Sequence, residues 1–313
     1  MQLSILIPLL NEEASIMELY RWILRVVEVH NFTYEIIFVD DGSTDNSWYI
    51  ISDIAKTNTD VRGIRFFKNF GKSQALHAGF EKAIGDVVIT MDADLQDSPE
   101  EIPGLYNMIV NDDYDVVSGW KKKRYDAFIS KNVPSKLFNW AARKTSGIQL
   151  HDFNCGLKAY KNQVVKHIDV NGEMHRYIPI LCKNAGFENI GEKVVKHQAR
   201  KYGKTKFGMS RFIYGFLDLI TIWFISNFAK KPMHLFGTLG VVMFFIGFLF
   251  SMYLGIDKLF FNPEGRLITQ RPQFYIALFT MLIGTLFFVT GFLGELILRY
   301  ERNHKNYIVK DLI

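Results

Sequence analysis

The sequence predicts an α/β fold, a mostly parallel sheet with helices on both faces, followed by a two-helix transmembrane hairpin. Three observations carry this expectation. Apolar runs typical of buried strands alternate with segments of helical spacing as far as Trp120, the pattern that builds parallel sheets covered on each side. The polar clusters at Asn11, Asp40, Asp41 and Asp92 each fall directly after an apolar run, where open α/β sheets bind their ligands. Residues 232–256 and 272–294 contain no Asp, Glu, Lys or Arg, and each stretch exceeds the roughly 20 residues a helix needs to cross a hydrocarbon core.

The elements follow in order. "LSILIPLL" is shorter than a signal-peptide core and has no basic residues before it, so it reads as a strand and not as an export signal. Ile16 to Val29 has helical spacing. "YEIIFVDDGS" is a strand ended by a turn, in which Gly42 permits the tight bend and Ser43 to Asp45 can cap a helix from Ser47 to Lys56. "VRGIRFFKN", the helical "SQALHAGFEKAI", "DVVITMDAD", the helical "EEIPGLYNMIVN" and "YDVVSGW" complete the alternation. No GxGxxG follows either early strand, which disfavours a dinucleotide-binding domain.

The C-terminal third reads differently. Residues 210–229 are rich in aromatics, with Phe212, Phe216, Leu219, Ile220 and Trp223 at helical spacing; an amphipathic helix in the membrane interface has this character, and so does a helix packed on the sheet domain. Glycines in the two apolar stretches let membrane helices approach closely. The expected organisation is a cytosolic catalytic domain over residues 1–205, interfacial helices over 206–231, spans at about 233–256 and 273–298, and a tail over 299–313. Lys230 and Lys231 before the first span, and Arg299, Arg302, Lys305 and Lys310 after the second, outweigh Lys258, Arg266 and Arg271 between them. That bias is modest; with no export signal, residues 1–230 are expected to stay in the cytosol, and a two-helix hairpin returns the tail to the same side.

Composition excludes little. The 313 residues carry 37 Lys and Arg against 32 Asp and Glu, a net +5, which does not mark a nucleic-acid partner. Cys155 and Cys182 stand far apart with no Cys or His spacing that would form a zinc site.

The acidic clusters carry the chemistry. Asp92 and Asp94, one residue apart after a strand, suit a hard cation such as Mg²⁺, which often takes one or two carboxylates together with substrate phosphate. Such a cation would relieve the repulsion among Asp92, Asp94 and Asp97. Asp97, before Ser98-Pro99-Glu100-Glu101, either joins that cluster or caps the next helix.

"ILIPLLNEE", "VDDGSTDNS", "NFGKSQALHAGFEKAIGD" and "MDADLQDSPE" together resemble the successive signatures of family 2 glycosyltransferases with the GT-A fold. With the two C-terminal spans, the resemblance narrows to the polyisoprenyl-phosphate glycosyltransferases, the group of dolichyl-phosphate mannose synthase and the bacterial undecaprenyl-phosphate glucosyltransferases. It implies an inverting transferase of the bacterial cytoplasmic membrane that moves a hexose from a nucleotide sugar to undecaprenyl phosphate with Mg²⁺ or Mn²⁺; the sequence does not reveal which sugar, and UDP-glucose is the first choice, followed by GDP-mannose and UDP-N-acetylhexosamine. Pro8, Asn11, Glu12, Asp40 and Asp41 would line the nucleotide pocket, with Asp40 at the base, and Lys72 would approach the same ligand. Asp92, Ala93 and Asp94 would form a DxD motif whose two carboxylates hold the metal, and Gln96 would face the sugar.

The resemblance also places an acceptor side. Asp152 of "HDFNCGLKAY" is the candidate catalytic carboxylate beside Asp94, either a base or an orienting group. Relatives carry an arginine-rich form where this chain has Asn154, Cys155 and Lys158. Arg200, Lys204 and Lys206, in a basic run before the interfacial segment, and Arg124, closing "KKKR", would bind the acceptor phosphate through charge-assisted hydrogen bonds. General attraction to anionic lipid, or a solvated loop for the latter run, are the plainer readings. His175 and Arg176 of "MHRYIP" fall in a segment that lies near the acceptor in the family. A catalytically inert sugar-nucleotide-binding scaffold is the alternative from another class, and homo-oligomers are compatible with either. A processive polysaccharide synthase is disfavoured, since the chain has no QxxRW motif.

Overall fold

Strand β1 (Leu3–Leu9) is buried over its whole length. Its side chains alternate between two cores, as a strand with a period of two requires. Leu3, Ile5, Ile7 and Leu9 join one core, with Ile16, Leu19, Ile23, Val26 and Val27 of helix α1 (Ile16–Val29). Leu6 joins the other, with Ala75, Leu76 and Phe80 of helix α3 (Lys72–Lys82). Each fully buried aliphatic chain contributes about 1.5–3 kcal/mol, so this alternation fixes which helix covers which face.

The other elements are β2 (Tyr34–Asp40), α2 (Ser47–Thr57), β3 (Val61–Arg65), β4 (Val87–Thr90), α4 (Ile102–Val110), β5 (Val116–Trp120), β6 (Lys158–Lys161), α5 (Ile178–Asn184) and β7 (Ile190–Val194). They form a seven-stranded sheet of order β3-β2-β1-β4-β6-β5-β7. Strand β6 is antiparallel to both β4 and β5, whereas β7 runs parallel to β5. The sheet is thus mostly parallel, as expected, with one reversed strand inserted beside β4. The alternation legible in the sequence stops at β5; β6 and β7 are short, carry lysines and lack its apolar runs.

This computed structural model describes residues 1–122, 139–140, 142–170, 174–199, 201–202, 221, 224, 228 and 231–301. The chain divides into two compact units, Met1–Trp223 and Phe224–Ile313. The sheet belongs to the first. Phe212, Phe216, Leu219, Ile220 and Trp223 of the expected interfacial segment lie outside the described residues.

The second unit contains helix α6 (Pro232–Ile256), a π-helical turn (Asp257–Phe261) and helix α7 (Pro272–Glu301). Both long helices have the length and apolar composition to cross a membrane, and only 17% of each apolar window is buried. A core helix of a soluble protein would bury most of it. The two helices meet along their glycines: a Cβ on Gly240 would stand 2.6 Å from the backbone oxygen of Gly284 and 2.6 Å from the Phe288 nitrogen, and one on Gly247 would stand 2.7 Å from the Ala277 oxygen. Small residues permit this approach, as in membrane helix pairs. At the far end, Arg271 Nη1 pairs with Asp257 Oδ2 at 2.5 Å and Asn262 Nδ2 donates to Asp257 Oδ1 at 2.8 Å.

Candidate active site

Strands β1, β2 and β4 run in one direction in register, with Leu9 opposite Asp40 and Leu6 opposite Thr90, so the polar residues after them gather at one edge of the sheet. Pro8 lies beyond the last β1 residue paired with β4. Its missing N–H therefore leaves no gap in that ladder.

Two loops are stitched together at this edge. Asn11 adopts a left-handed backbone conformation, φ 54°, which asparagine tolerates better than most residues. Its N–H donates to Ser43 Oγ and its Oδ1 accepts the Thr44 N–H, both at 2.8 Å. The Glu12 N–H donates to Ser47 Oγ at 3.0 Å. Asp40 is fully buried. Its Oδ1 accepts the Ser43 N–H at 2.8 Å, and its Oδ2 has no hydrogen-bond donor among the described residues, the Arg65 Nε standing 3.7 Å away. A buried acceptor left unmatched costs about 1–3 kcal/mol, so this oxygen has the character of a ligand contact. Asp41 is spent differently: its carboxylate accepts the N–H groups of Phe70 at 2.7 Å and Gly71 at 3.0 Å. Burial pushes its carboxyl up from the ordinary value while those two N–H groups pull against the rise. Asp41 thus anchors the "FKNFG" turn that leads into α3.

At the start of α3, Lys72 Nζ forms an ion pair with Asp92 Oδ1. Burial alone would push the Asp92 carboxyl up, but Lys72 and Lys121 outweigh it and hold the group low, at about 2. Asp97 is fully buried and pairs with Lys121 Nζ at 2.6 Å, and the helix-capping position behind it makes no side-chain cap. Asp97 therefore belongs to the acidic cluster and not to a cap, and lysines from two other segments already offset the repulsion within "DADLQD". Ala93 is buried in the core between Asp92 and Asp94. Leu95 is buried with φ 61°, a conformation that costs an L-residue about 1–2 kcal/mol and that collects at functional sites. It turns the chain so that Asp94 Oδ1 accepts the Gln96 N–H at 3.1 Å. The Gln96 carbonyl in turn accepts the Gln198 N–H at 3.0 Å.

The "HDFNCG" segment, residues 151–156, is held by a row of four side chains. Thr90, Lys158, Ser118 and Glu192 stand in register across β4, β6, β5 and β7 and so share one face of the sheet. Thr90 Oγ1 donates to the Gly156 carbonyl at 2.8 Å, Lys158 Nζ donates to the Cys155 carbonyl, and Ser118 Oγ donates to the Asp152 carbonyl at 3.2 Å. Glu192 Oε1 accepts the N–H groups of His151 at 2.7 Å and Asp152 at 3.1 Å. Gly156 lies against Asp92, so the row brings the Asp152 segment to that aspartate. Asp152 is 1% exposed, and its Oδ1 accepts the Asn154 N–H at 3.2 Å. Burial pushes Lys158 below its ordinary value and the Cys155 thiol up to about 12, which leaves that thiol inert as a nucleophile.

The "MHRYIP" segment also reaches this place. Ser73 Oγ accepts the His175 N–H at 2.9 Å and contacts His175 Nδ1 at 3.1 Å, one residue from Lys72. Lys201 Nζ binds both Glu18 carboxylate oxygens at 2.8 Å, tying the start of the basic run to α1. Arg124, Arg200, Lys204 and Lys206 lie outside the described residues. Among the described residues, no group of three or more His, Cys, Asp or Glu is placed to hold a metal ion. Asp92 and Asp94 supply two hard oxygen donors, a set that fits Mg²⁺ or Mn²⁺ when phosphate completes the shell.

The family model described as glycosyl transferase family 2 matches residues 4–169, which run from β1 to β6 and include the aspartates of this edge. The chain belongs to glycosyl transferase family 2. This family 2 glycosyltransferase is 33% identical to the dodecaprenyl-phosphate galacturonate synthase of Rhizobium johnstonii, over 100% of this chain and 93% of the relative. It is 35% identical to the undecaprenyl-phosphate 4-deoxy-4-formamido-L-arabinose transferase of Shewanella sediminis, over 99% and 92%. Among solved structures it is similar in fold to glucosyl-3-phosphoglycerate synthase from Mycobacterium tuberculosis in complex with UDP, with a TM-score of 0.54 and 20% identity over 71% of this chain and 80% of that one.

Reading the sequence left out Thr90, Ser118 and Glu192 and treated Lys158 only as a departure from the family. The signal available was Lys158 itself, a lone cation inside the otherwise apolar "GLKAY", since a buried lysine needs specific partners.

Proposed function

We propose that this glycosyltransferase transfers a sugar from a nucleoside diphosphate donor to the phosphate of a membrane polyprenyl lipid, at the cytosolic face of the bacterial inner membrane. The observation that carries this reading is that relatives named for dodecaprenyl and undecaprenyl phosphate match the chain from end to end, apolar hairpin included. UDP-glucose is the first donor to test and GDP-mannose the next. The relatives' names add galacturonate and 4-deoxy-4-formamido-L-arabinose to the panel.

The residues support a division of labour. The unmatched Asp40 Oδ2 accepts an N–H of the base, and the Asn11 to Glu12 turn walls the nucleotide. Asp92 and Asp94 hold the divalent cation. When bound, the cation supplies positive charge to the departing diphosphate. A phosphate monoester loses its second proton near pH 6, so the acceptor oxygen is already anionic at neutral pH and displaces the diphosphate at the anomeric carbon with inversion. Asp152, buried and with its backbone held by Ser118 and Glu192, orients the acceptor side in preference to removing a proton.

The test is a panel of labelled nucleotide sugars with undecaprenyl phosphate and Mg²⁺ or Mn²⁺, run on the purified full chain. Metal-dependent transfer of one sugar, lost in Asp94→Ala, is the expected outcome. Donor binding without transfer to any polyprenyl phosphate overturns the proposal and favours the inert scaffold.

A further inference from the structure

Next to Asp152, one side chain of the "HDFNCG" segment is turned outward. His151 is 59% exposed and stacks on Trp120, the last residue of β5, with ring centroids 4.0 Å apart and planes 11° apart. Behind it, Glu192 Oε2 lies 2.7 Å from His151 Nδ1, while Oε1 of the same carboxylate takes the backbone N–H groups of His151 and Asp152. An ionised carboxylate only accepts, so Nδ1 carries a proton, and both the tautomer and the ring orientation are set. Nε2 has no hydrogen-bond partner among the described residues. Lys122 Nζ lies over the same indole, 5.7 Å from its centroid.

We infer that His151, positioned by Glu192 on the Trp120 platform, is a binding residue for the phosphate of the acceptor. The inference rests on the polyprenyl-phosphate reading above and adds to it a residue outside the family's acidic motifs.

A carboxylate that fixes one imidazole nitrogen and leaves the other outward is the arrangement by which proteins aim a histidine at a ligand. Here the Lys122 ammonium, over the same indole as the ring, favours an anion at the outward Nε2 side. A phosphate arriving at Nε2 places the ring between two anionic groups, with Glu192 on one side and the phosphate on the other, and the imidazole bridges them by hydrogen bonds. The donor's diphosphate already has Asp92 and Asp94 with their cation. The platform stands instead with Asp152, whose N–H shares Glu192 Oε1 with His151, so the ring and the candidate catalytic segment are set by one side chain.

The experiment is steady-state transfer by the purified full chain, titrating undecaprenyl phosphate at saturating donor and then donor at saturating acceptor. His151→Ala is expected to raise the acceptor KM by about tenfold or more, the effect of losing one charge-assisted hydrogen bond, with the donor KM unchanged. Glu192→Gln is expected to raise the acceptor KM in the same sense, and His151→Arg to recover part of the loss. An unchanged acceptor KM in His151→Ala overturns the assignment. So does a parallel rise in both KM values in Glu192→Gln, the mark of a merely structural role. A wild-type chain that transfers sugar to some other acceptor but never to undecaprenyl phosphate overturns the functional reading itself, and the assignment with it.

Discussion

Gly156 lies against the carboxylate of Asp92: a Cβ at position 156 would stand 2.5 Å from Oδ2 and 2.7 Å from Cγ. The contact joins the segment that carries Asp152 to the aspartate pair after β4. Since Thr90 and Lys158 hold the backbone of this segment, Gly156 cannot retreat, and Asp92 must move if a methyl group is added. Gly156→Ala is therefore expected to displace a carboxylate at the reacting edge without opening a cavity. Misplacement by about 1 Å can cost about 10²-fold in rate. Transfer kinetics should show a fall in kcat of about that size with a nearly unchanged melting midpoint; a variant with wild-type kcat would show that the contact does not position Asp92.

His175 gives a pH dependence. Burial, joined by the charges of Lys72 and Arg176, pushes the ring down to about 3, from an ordinary value of about 6.5. As pH falls, the unfolded chain takes up the proton first. The stability carried by the neutral ring is thus fully present above about pH 6.5 and drains away as pH falls toward 3. Thermal melts of the solubilised chain at about pH 7.5 and about pH 5 should show a larger drop for wild type than for His175→Gln. Equal drops would mean that the ring does not resist protonation in the folded protein.

These dependences were legible to different degrees from the chain alone. Helix α1 declares itself because its apolar spacing matches its buried face, strands β1, β2, β4 and β5 because they are apolar runs buried almost throughout, and Asp40 and Asp92 because they stand where those runs end. The row formed by Thr90, Ser118, Lys158 and Glu192 has no local signature. Its members are scattered along the chain and meet only through strand register, and the two strands that complete it, KAYK and IGEKV, are short and interrupted by charged residues. Asp97 and Lys121 were ambiguous for the same reason. A carboxylate before Ser-Pro-Glu-Glu looks like a cap, and a lysine in "KKKR" looks solvated, until β5 and the loop after β4 bring them within 2.6 Å.

Asp41 separates anchoring from binding. Its carboxylate holds the N–H groups of Phe70 and Gly71, so its loss frees the turn that delivers Lys72 to Asp92. Hydrogen bonds to a charged acceptor contribute about 1.5–3 kcal/mol, ample to order a turn of this length. Asp41→Ala should quicken hydrogen exchange at Phe70 and Gly71 and raise the donor KM, while Asp41→Asn, which keeps one acceptor, should do so less. Unchanged exchange at both amides would remove the anchoring role.

The membrane unit makes the last prediction. Gly240 and Gly284 meet backbone to backbone, each one's missing Cβ falling 2.6 Å from the other's carbonyl oxygen. Any side chain there must push the helices apart, because neither partner atom sits at the end of a flexible chain. Overpacking of this kind costs about 1–3 kcal/mol. Phe245, by contrast, is 55% exposed on the outer surface of α6, where a change from one apolar residue to another meets only solvent or lipid. Gly240→Val should lower the melting midpoint of the detergent-solubilised chain and weaken a disulfide engineered between α6 and α7, whereas Phe245→Leu should do neither. If both substitutions behave alike, the glycine contact does not hold the hairpin together.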